Sequence, residues 1–228
     1  MPSPRTAVLI PAFNCAATIA EVVRGARRCV ATVLVVDDGS ADNTAACAVE
    51  AGAVVESHAT NCGKGAALLT GLRRLARDGF ERVVTMDGDG QHLAEEISAL
   101  LAAADAQPGA LIIGARRLEE VSIAPIKLFG NRFANRWVEI ACGQRLPDTQ
   151  SGFRVYPLRP TLALRASARH FAFETEILIR AARAGMPIRS VPVRVFYPPI
   201  DERVSHFRPF LDTVRIIFVV LGLIFRLR

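Results

Sequence analysis

Val83-Val84-Thr85-Met86-Asp87-Gly88-Asp89-Gly90-Gln91 is an apolar, β-branched run that stops at two carboxylates one glycine apart. Such a run predicts a buried strand, and the acidic turn falls just past its carboxyl end. In an open α/β sheet that edge is where ligands bind. Asp87 and Asp89 repel each other unless a cation or a hydrogen-bond network holds them, and no Lys or Arg adjoins them in sequence. With the Gln91 amide they make a hard oxygen set, suited to Mg²⁺ or Mn²⁺ rather than zinc. Gly88 and Gly90 let the backbone turn tightly around an ion. An ordinary Asp-Gly turn has the same composition, so this stretch alone does not decide the chemistry.

Working outward, Ala7-Val8-Leu9-Ile10-Pro11 and Thr32-Val33-Leu34-Val35-Val36 are two further apolar runs, and the second leads straight into Asp37-Asp38-Gly39-Ser40. Between them Ile19, Val22, Val23 and Ala26 recur at helical spacing. Asp42, Asn43 and Thr44 offer caps for a helix of small residues, and Val54-Val55 marks another strand. Asn61-Cys62-Gly63-Lys64-Gly65 is a glycine turn before a helix with Leu68, Leu72, Leu75 and Ala76 on one face. Past the acidic turn, a helix bearing Ile97, Leu100 and Leu101 precedes a strand at Leu111-Ile112-Ile113. Five strands alternating with helices predict an α/β fold: a doubly wound, mostly parallel, Rossmann-like sheet with helices on both faces. After Arg116-Arg117 the rhythm changes. A helix is expected over Lys127 to Ala141, a polar loop over Pro147 to Arg154, and a helix over Phe173 to Ala184. A strand over Ile188 to Phe196 follows, at a sheet edge because of Pro192.

Half of the 228 residues are hydrophobic, enough for one large core, and the formal net charge of +6 is carried mainly by arginine. That balance suits nucleotide phosphates or an acidic membrane surface. Nucleic acid is not an expected partner, since zinc spacing, an RNA-binding signature and a base-reading basic helix are all missing. The five cysteines are odd in number and form no C-x-x-C, which predicts reduced thiols in a cytosolic setting. A strand beginning by Ala7 leaves no room for a signal peptide.

Asp37-Asp38 and Asp87-Gly88-Asp89 both follow strands, so they can open onto one crevice. A carboxylate of one pair can accept from a nucleobase N–H or a ribose hydroxyl, while the other pair holds a metal that bridges a diphosphate. For Asp37-Asp38 the alternative is a helix N-cap. Gly63-Lys64-Gly65 lacks the spacing of a P-loop. Lys64 can reach a phosphate, but a solvated loop lysine is the plainer expectation.

Taken together these motifs resemble glycosyltransferase family 2, with its GT-A fold, near the dolichyl-phosphate or polyprenyl-phosphate mannosyl- and glucosyltransferase branch. The pieces are Ile10-Pro11-Ala12-Phe13-Asn14, Val36-Asp37-Asp38-Gly39-Ser40 with Asp42 and Thr44, Gly63-Lys64-Gly65-Ala66-Ala67, and Met86-Asp87-Gly88-Asp89-Gly90-Gln91-His92. Gly114-Ala115-Arg116 and Asp148-Thr149-Gln150-Ser151-Gly152-Phe153-Arg154 complete the set, in family order, over residues 7 to about 208. The resemblance implies a nucleotide-diphosphate sugar donor, with Pro11, Ala12, Asn14 and Asp38 lining the nucleoside pocket and Asp87, Asp89 and Gln91 on Mg²⁺ or Mn²⁺. Gly88 lies against the donor, and Arg116 and Arg132 near the phosphates. Arg203, Ser205 and His206 stand where the family closes the donor site; His206 replaces a lysine, and Leu93-Ala94-Glu95 replaces a Pro-Glu. The implied reaction is a single displacement that inverts the anomeric centre. A phosphate acceptor needs no base. A hydroxyl acceptor does, and Asp148 is the candidate, unless it simply pairs with Arg154 or Arg145. Glu174 and Glu176 lie in a matching region, but a solvated helix start explains them equally well.

One domain is therefore expected over 1–208, with a nucleotide-sugar half to about 117 and an acceptor half over 118–208 on the same sheet. Beyond Pro209, Ile216 to Phe225 is an unbroken ten-residue apolar run between Arg215 and Arg226. At about 1.5 Å per residue it covers roughly half of a 30 Å hydrocarbon core, so it cannot span. Arg208, Arg215 and Arg226 fall on one helical stripe, as in a helix lying in the membrane plane. A buried helix or an oligomer contact is the alternative. The expected setting is peripheral, on the cytoplasmic face of the inner membrane, with a lipid acceptor. Two other functions share parts of the pattern. A nucleotidyltransferase would want a Gly- and Lys/Arg-rich loop where Pro11-Ala12-Phe13-Asn14 stands, and a non-catalytic nucleotide-sugar binder would not need Asp87, Asp89, Gln91 and Asp148 together.

Overall fold

A computed structural model describes residues 3–116, 138–196 and Gly222. Its strands are β1 (Thr6–Ala12), β2 (Val33–Asp37), β3 (Val54–Ser57), β4 (Arg82–Thr85), β5 (Leu111–Arg116), β6 (Arg154–Pro157) and β7 (Ile188–Val193). The helices are α1 (Ala16–Cys29), α2 (Thr44–Glu50), α3 (Lys64–Arg77), α4 (Ile97–Ala106), α5 (Leu158–Ala163) and α6 (Ala172–Arg183).

Successive residues of the apolar runs feed two separate cores. Ala7 and Leu9 of β1 enter one with Leu34 and Val36 of β2. Val8 and Ile10 enter the other with Val33 and Val35. Leu68, Leu72 and Leu75 of α3 and Phe173, Ile177 and Leu178 of α6 cover the first face. Ile19, Val22, Val23 and Ala26 of α1 and Ile97 and Leu100 of α4 cover the second. Strands buried on both sides have no polar alternation, which is why these runs read as continuous. Fully burying such side chains contributes about 1.5–3 kcal/mol each before chain entropy is counted.

The seven strands lie in the order β3-β2-β1-β4-β6-β5-β7. The ladders are parallel except those of β6, which runs antiparallel between β4 and β5. The mixed but mostly parallel sheet with helices on both faces is the expected one. Pro192 does sit on an edge strand, since β7 pairs only with β5 in the sheet order. Pro11 is tolerated in a central strand because the β1–β4 ladder runs from Thr6 to Leu9 and ends before it. One expectation is corrected: Arg154 does not close a polar loop but begins β6, and α5 follows at once.

Residues 138–142 are helical, the end of the helix expected over Lys127 to Ala141. The rest of the span expected to be helical, Arg132, Arg203, Ser205, His206 and the 209–228 tail apart from Gly222 lie outside the described residues. No helix among the described residues is long and apolar enough to cross a membrane. All five cysteines are free thiols.

Candidate active site

Parallel pairing brings the carboxyl ends of β1, β2, β4 and β5 to one edge of the sheet. Because β6 runs the other way, the loop that precedes it arrives at that same edge. Asn14, Asp38, Asp87, Asp89, Arg116 and Asp148 therefore converge from separate parts of the sequence.

The β1 and β2 loops are tied together by short polar contacts. Asn14 adopts φ 47°, a left-handed conformation that asparagine accepts more readily than most residues. Its backbone N–H donates to Ser40 Oγ at 2.9 Å, and its side-chain oxygen accepts from Ala41 N–H at 2.8 Å. Asp37 Oδ1 accepts from the Ser40 amide and hydroxyl. Asp42 accepts from Ala16 N–H at 3.1 Å and Thr44 N–H at 3.0 Å, so it serves the starts of α1 and α2 at once. The helix-capping role weighed for Asp37-Asp38 falls to Asp42. Asp38 is buried and accepts from His58 Nδ1 at 2.7 Å, Cys62 N–H at 2.9 Å and Gly63 N–H at 2.7 Å.

At the acidic turn Thr18 Oγ donates to Gly88 O at 2.6 Å, holding the turn against the first turn of α1. A Cβ on Gly88 would lie 3.0 Å from Cys15 Sγ. Lys64 is not the solvated loop lysine expected. It opens α3, and its Nζ bridges Asp87 at 2.6 Å and Glu174 at 2.9 Å. Burial works against the Lys64 charge, but the two carboxylates outweigh it and hold its pKa above the ordinary lysine value. For Asp87 burial favours the neutral acid, yet Lys64 and His92 keep it well below the usual carboxylate range. Asp89 goes the other way: burial and the neighbouring Asp87 charge raise its pKa. Its Oδ1 accepts from Gln91 N–H at 3.0 Å, and no Lys or Arg among the described residues pairs with it.

The loop before β6 closes on this turn. Thr85 Oγ donates to Gly152 O at 2.7 Å, and a Cβ on Gly152 would lie 2.8 Å from Lys64 Nζ and 2.9 Å from both Asp87 oxygens. Asp148, 1% exposed, accepts from Arg116 Nε at 2.7 Å and Nη2 at 3.0 Å, and from the Arg116 and Gln150 amides at 3.2 Å. Burial would raise its pKa, but Arg116 dominates and lowers it. The pairing partner is thus Arg116, where Arg154 and Arg145 had been weighed. Arg154 instead has no exposed surface and donates to the carbonyls of Ser151 (2.7 Å), Thr149 (2.8 Å) and Glu174 (2.8 Å).

Asp87, Asp89 and Gln91 offer carboxylate and amide oxygens, and Asp89 is a half-buried carboxylate with no Lys or Arg paired to it among the described residues. This donor set fits Mg²⁺ or Mn²⁺. His92 lies close by, its Nε2 3.4 Å from Asp87 and its buried Nδ1 without a partner. His58 had no place in the sequence expectations, whereas Lys64 was weighed as reaching a phosphate, Glu174 fell in a region matching the family, and Arg154 ended the motif that begins at Asp148. Glu174 and Glu176 are both buried rather than solvated, and Glu176 accepts from the Ser167 and Ala168 amides. The glycines on either side of Lys64 admit close packing, but its pairing with Glu174 and the contact of His58 with Asp38 depend on distant elements.

A family model described as "Glycosyl transferase family 2" matches residues 7–165. Glycosyltransferase AglJ of Haloferax volcanii is 32% identical over 93% of this chain and 70% of its own. Polyprenol monophosphomannose synthase of Mycolicibacterium smegmatis is 32% identical over 84% of this chain and 77% of its own. Among solved structures, glucosyl-3-phosphoglycerate synthase from Mycobacterium tuberculosis, in complex with Mn²⁺, UDP and phosphoglyceric acid, superposes with a TM-score of 0.74. It covers 97% of this chain and 78% of that one, at 23% identity, a likeness of fold.

Proposed function

Because the chain belongs to glycosyl transferase family 2, we propose that this glycosyltransferase moves a sugar, with inversion, from a nucleotide-diphosphate sugar to a membrane lipid phosphate of the polyprenyl type. The observation that carries the choice of acceptor is the state of Asp148. Two hydrogen bonds from the Arg116 guanidinium and a lowered pKa make it a poor proton acceptor. A phosphate acceptor is already ionised and requires no base, whereas a hydroxyl acceptor does. The likeness to polyprenol monophosphomannose synthase and to the undecaprenyl-phosphate mannosyltransferase of Micrococcus luteus supports the same choice.

In this reading Pro11, Ala12, Asn14 and Asp38 receive the nucleoside. Asp87, Asp89 and Gln91 would hold Mg²⁺ or Mn²⁺, which when bound supplies positive charge to the departing diphosphate. Lys64 keeps Asp87 ionised and fixed, and Gly88 and Gly152 leave the space that a side chain would fill. Arg116 and Arg132 serve the phosphates, and Arg203, Ser205 and His206 close over the donor. The 209–228 tail rests on the cytoplasmic face of the membrane.

The test is a transfer assay with uridine- and guanosine-diphosphate sugars, with and without Mn²⁺. Vesicles would carry either a polyprenyl phosphate or the corresponding free polyprenol. Transfer to the phosphate alone, retained in large part by Asp148→Asn, is the expected result. Transfer to the alcohol, with Asp148→Asn losing about 10²–10⁴-fold, would replace it with the base-catalysed hydroxyl reaction.

A further inference from the structure

Asp38 is a buried carboxylate with no Lys or Arg partner among the ion pairs of the described residues, and three donors surround it. His58 Nδ1 and Cys62 N–H reach Oδ1, and Gly63 N–H reaches Oδ2. A carboxylate presents about four lone-pair directions, so one remains for a ligand. The donors are themselves fixed. Gly63 stands at φ 94°, where a Cβ would meet His170 Nδ1 at 2.3 Å, so the turn that presents the two amides depends on glycine. His58 follows β3, and its backbone N–H donates to Asp37 O at 2.8 Å. On the far side of its ring, Nε2 lies 3.0 Å from Thr70 Oγ on α3.

The Thr70 hydroxyl can donate to Nε2. Nδ1 then carries the ring proton and donates it to Asp38. We propose that His58, held by Thr70, is a positioning residue for donor recognition. By filling its share of Asp38, it leaves a single acceptor that selects a nucleobase bearing a ring N–H. The inference rests on the nucleotide-sugar reading above and deepens it. His58 need not touch the base; it acts through Asp38.

Calorimetric titration of the whole chain with UDP, GDP and, as a base-free probe, inorganic diphosphate, all in Mn²⁺, tests this. His58→Leu is expected to weaken the preferred nucleoside diphosphate by about tenfold, the effect of one hydrogen-bonded group, and to leave diphosphate binding as it was. In turnover the loss should fall on the donor KM more than on kcat. His58→Asn, whose amide nitrogen can stand in for Nδ1, should restore most of the affinity. Thr70→Val should reproduce the loss in weaker form, while Thr70→Ser should not. Equal nucleotide affinity in His58→Leu and the unaltered chain would overturn the proposal, and so would an equal loss of nucleotide and diphosphate. If His58→Leu does not fold, Thr70→Val decides, and unchanged affinity and KM there would reject the relay. Failure of the unaltered chain to bind either nucleotide would sink the donor reading, and this inference with it.

Discussion

Asp89 has a raised pKa because it is buried beside Asp87, and Lys64 is already engaged by Asp87 and Glu174. Its charge therefore works against folding, as is common at functional sites. Asp89→Asn should leave the melting temperature unchanged or raise it in chelator, while transfer falls about 10²-fold or more. Calorimetry and the transfer assay, run on the same preparation, check both halves; a lower melting temperature with intact transfer would make Asp89 structural. Asp148 is the opposite case. Burial opposes its charge, but Arg116 holds its pKa below the unfolded value of about 3.9. Such a group contributes stability fully above its unfolded pKa, and the contribution is lost as pH falls through the folded one. Asp148→Asn should thus destabilise by about 2–3 kcal/mol at pH 7, and its deficit should shrink below about pH 4. A deficit constant from pH 7 to pH 3 would show that the Arg116 pairing adds no charge-dependent stability.

At the scale of elements, β6 is what turns a parallel α/β sheet into this site. It delivers the Asp148–Phe153 loop to the edge where β4 leaves Asp87 and Asp89. Its shape is held by Arg154, whose guanidinium ties Thr149, Ser151 and Glu174. Arg154→Met keeps the length and strands three buried carbonyls, so it should destabilise by about 3–5 kcal/mol. Urea unfolding would measure that, and proteolysis should cut first within residues 148–153. Loss of less than about 1 kcal/mol would mean that the loop holds itself. This element was illegible in sequence for a physical reason. Arg154-Val155-Tyr156-Pro157 is short, begins with a charge and ends in proline, whereas β1, β2 and β4 announce themselves as continuous apolar runs. Burying a guanidinium among carbonyls follows no helical or strand period. The same holds for Lys64: glycines on both sides marked a turn, but only α6, from a distant part of the chain, supplies Glu174.

Over the whole molecule, the order of strands does most of the work of assembly. Asp38, Asp87 and Asp89 each follow a strand, and that local rule was readable; Asp148 precedes β6, and its place was not. The crevice follows from it once four strand ends share an edge. The net charge of +6 is less informative about the site, where carboxylates predominate, than about what lies around it. Twenty residues from Pro209 to Arg228 hold one acidic group, three arginines and the apolar run from Ile216 to Phe225. Burying several large side chains in the interface at roughly 1.5–3 kcal/mol each, with about 1 kcal/mol per arginine on anionic lipid, would hold a protein of this size at a membrane. Deleting residues 209–228 should therefore release the protein from anionic vesicles and slow transfer to a long-chain lipid phosphate. Binding of the nucleoside diphosphate, measured by calorimetry, should persist, and so should transfer to a short, water-soluble prenyl phosphate. Vesicle binding should also weaken in high salt, because the arginine contribution is screened. If the truncated chain stays on vesicles, the membrane contact lies elsewhere. If it loses nucleotide binding or its cooperative unfolding, the apolar run belongs to the core instead.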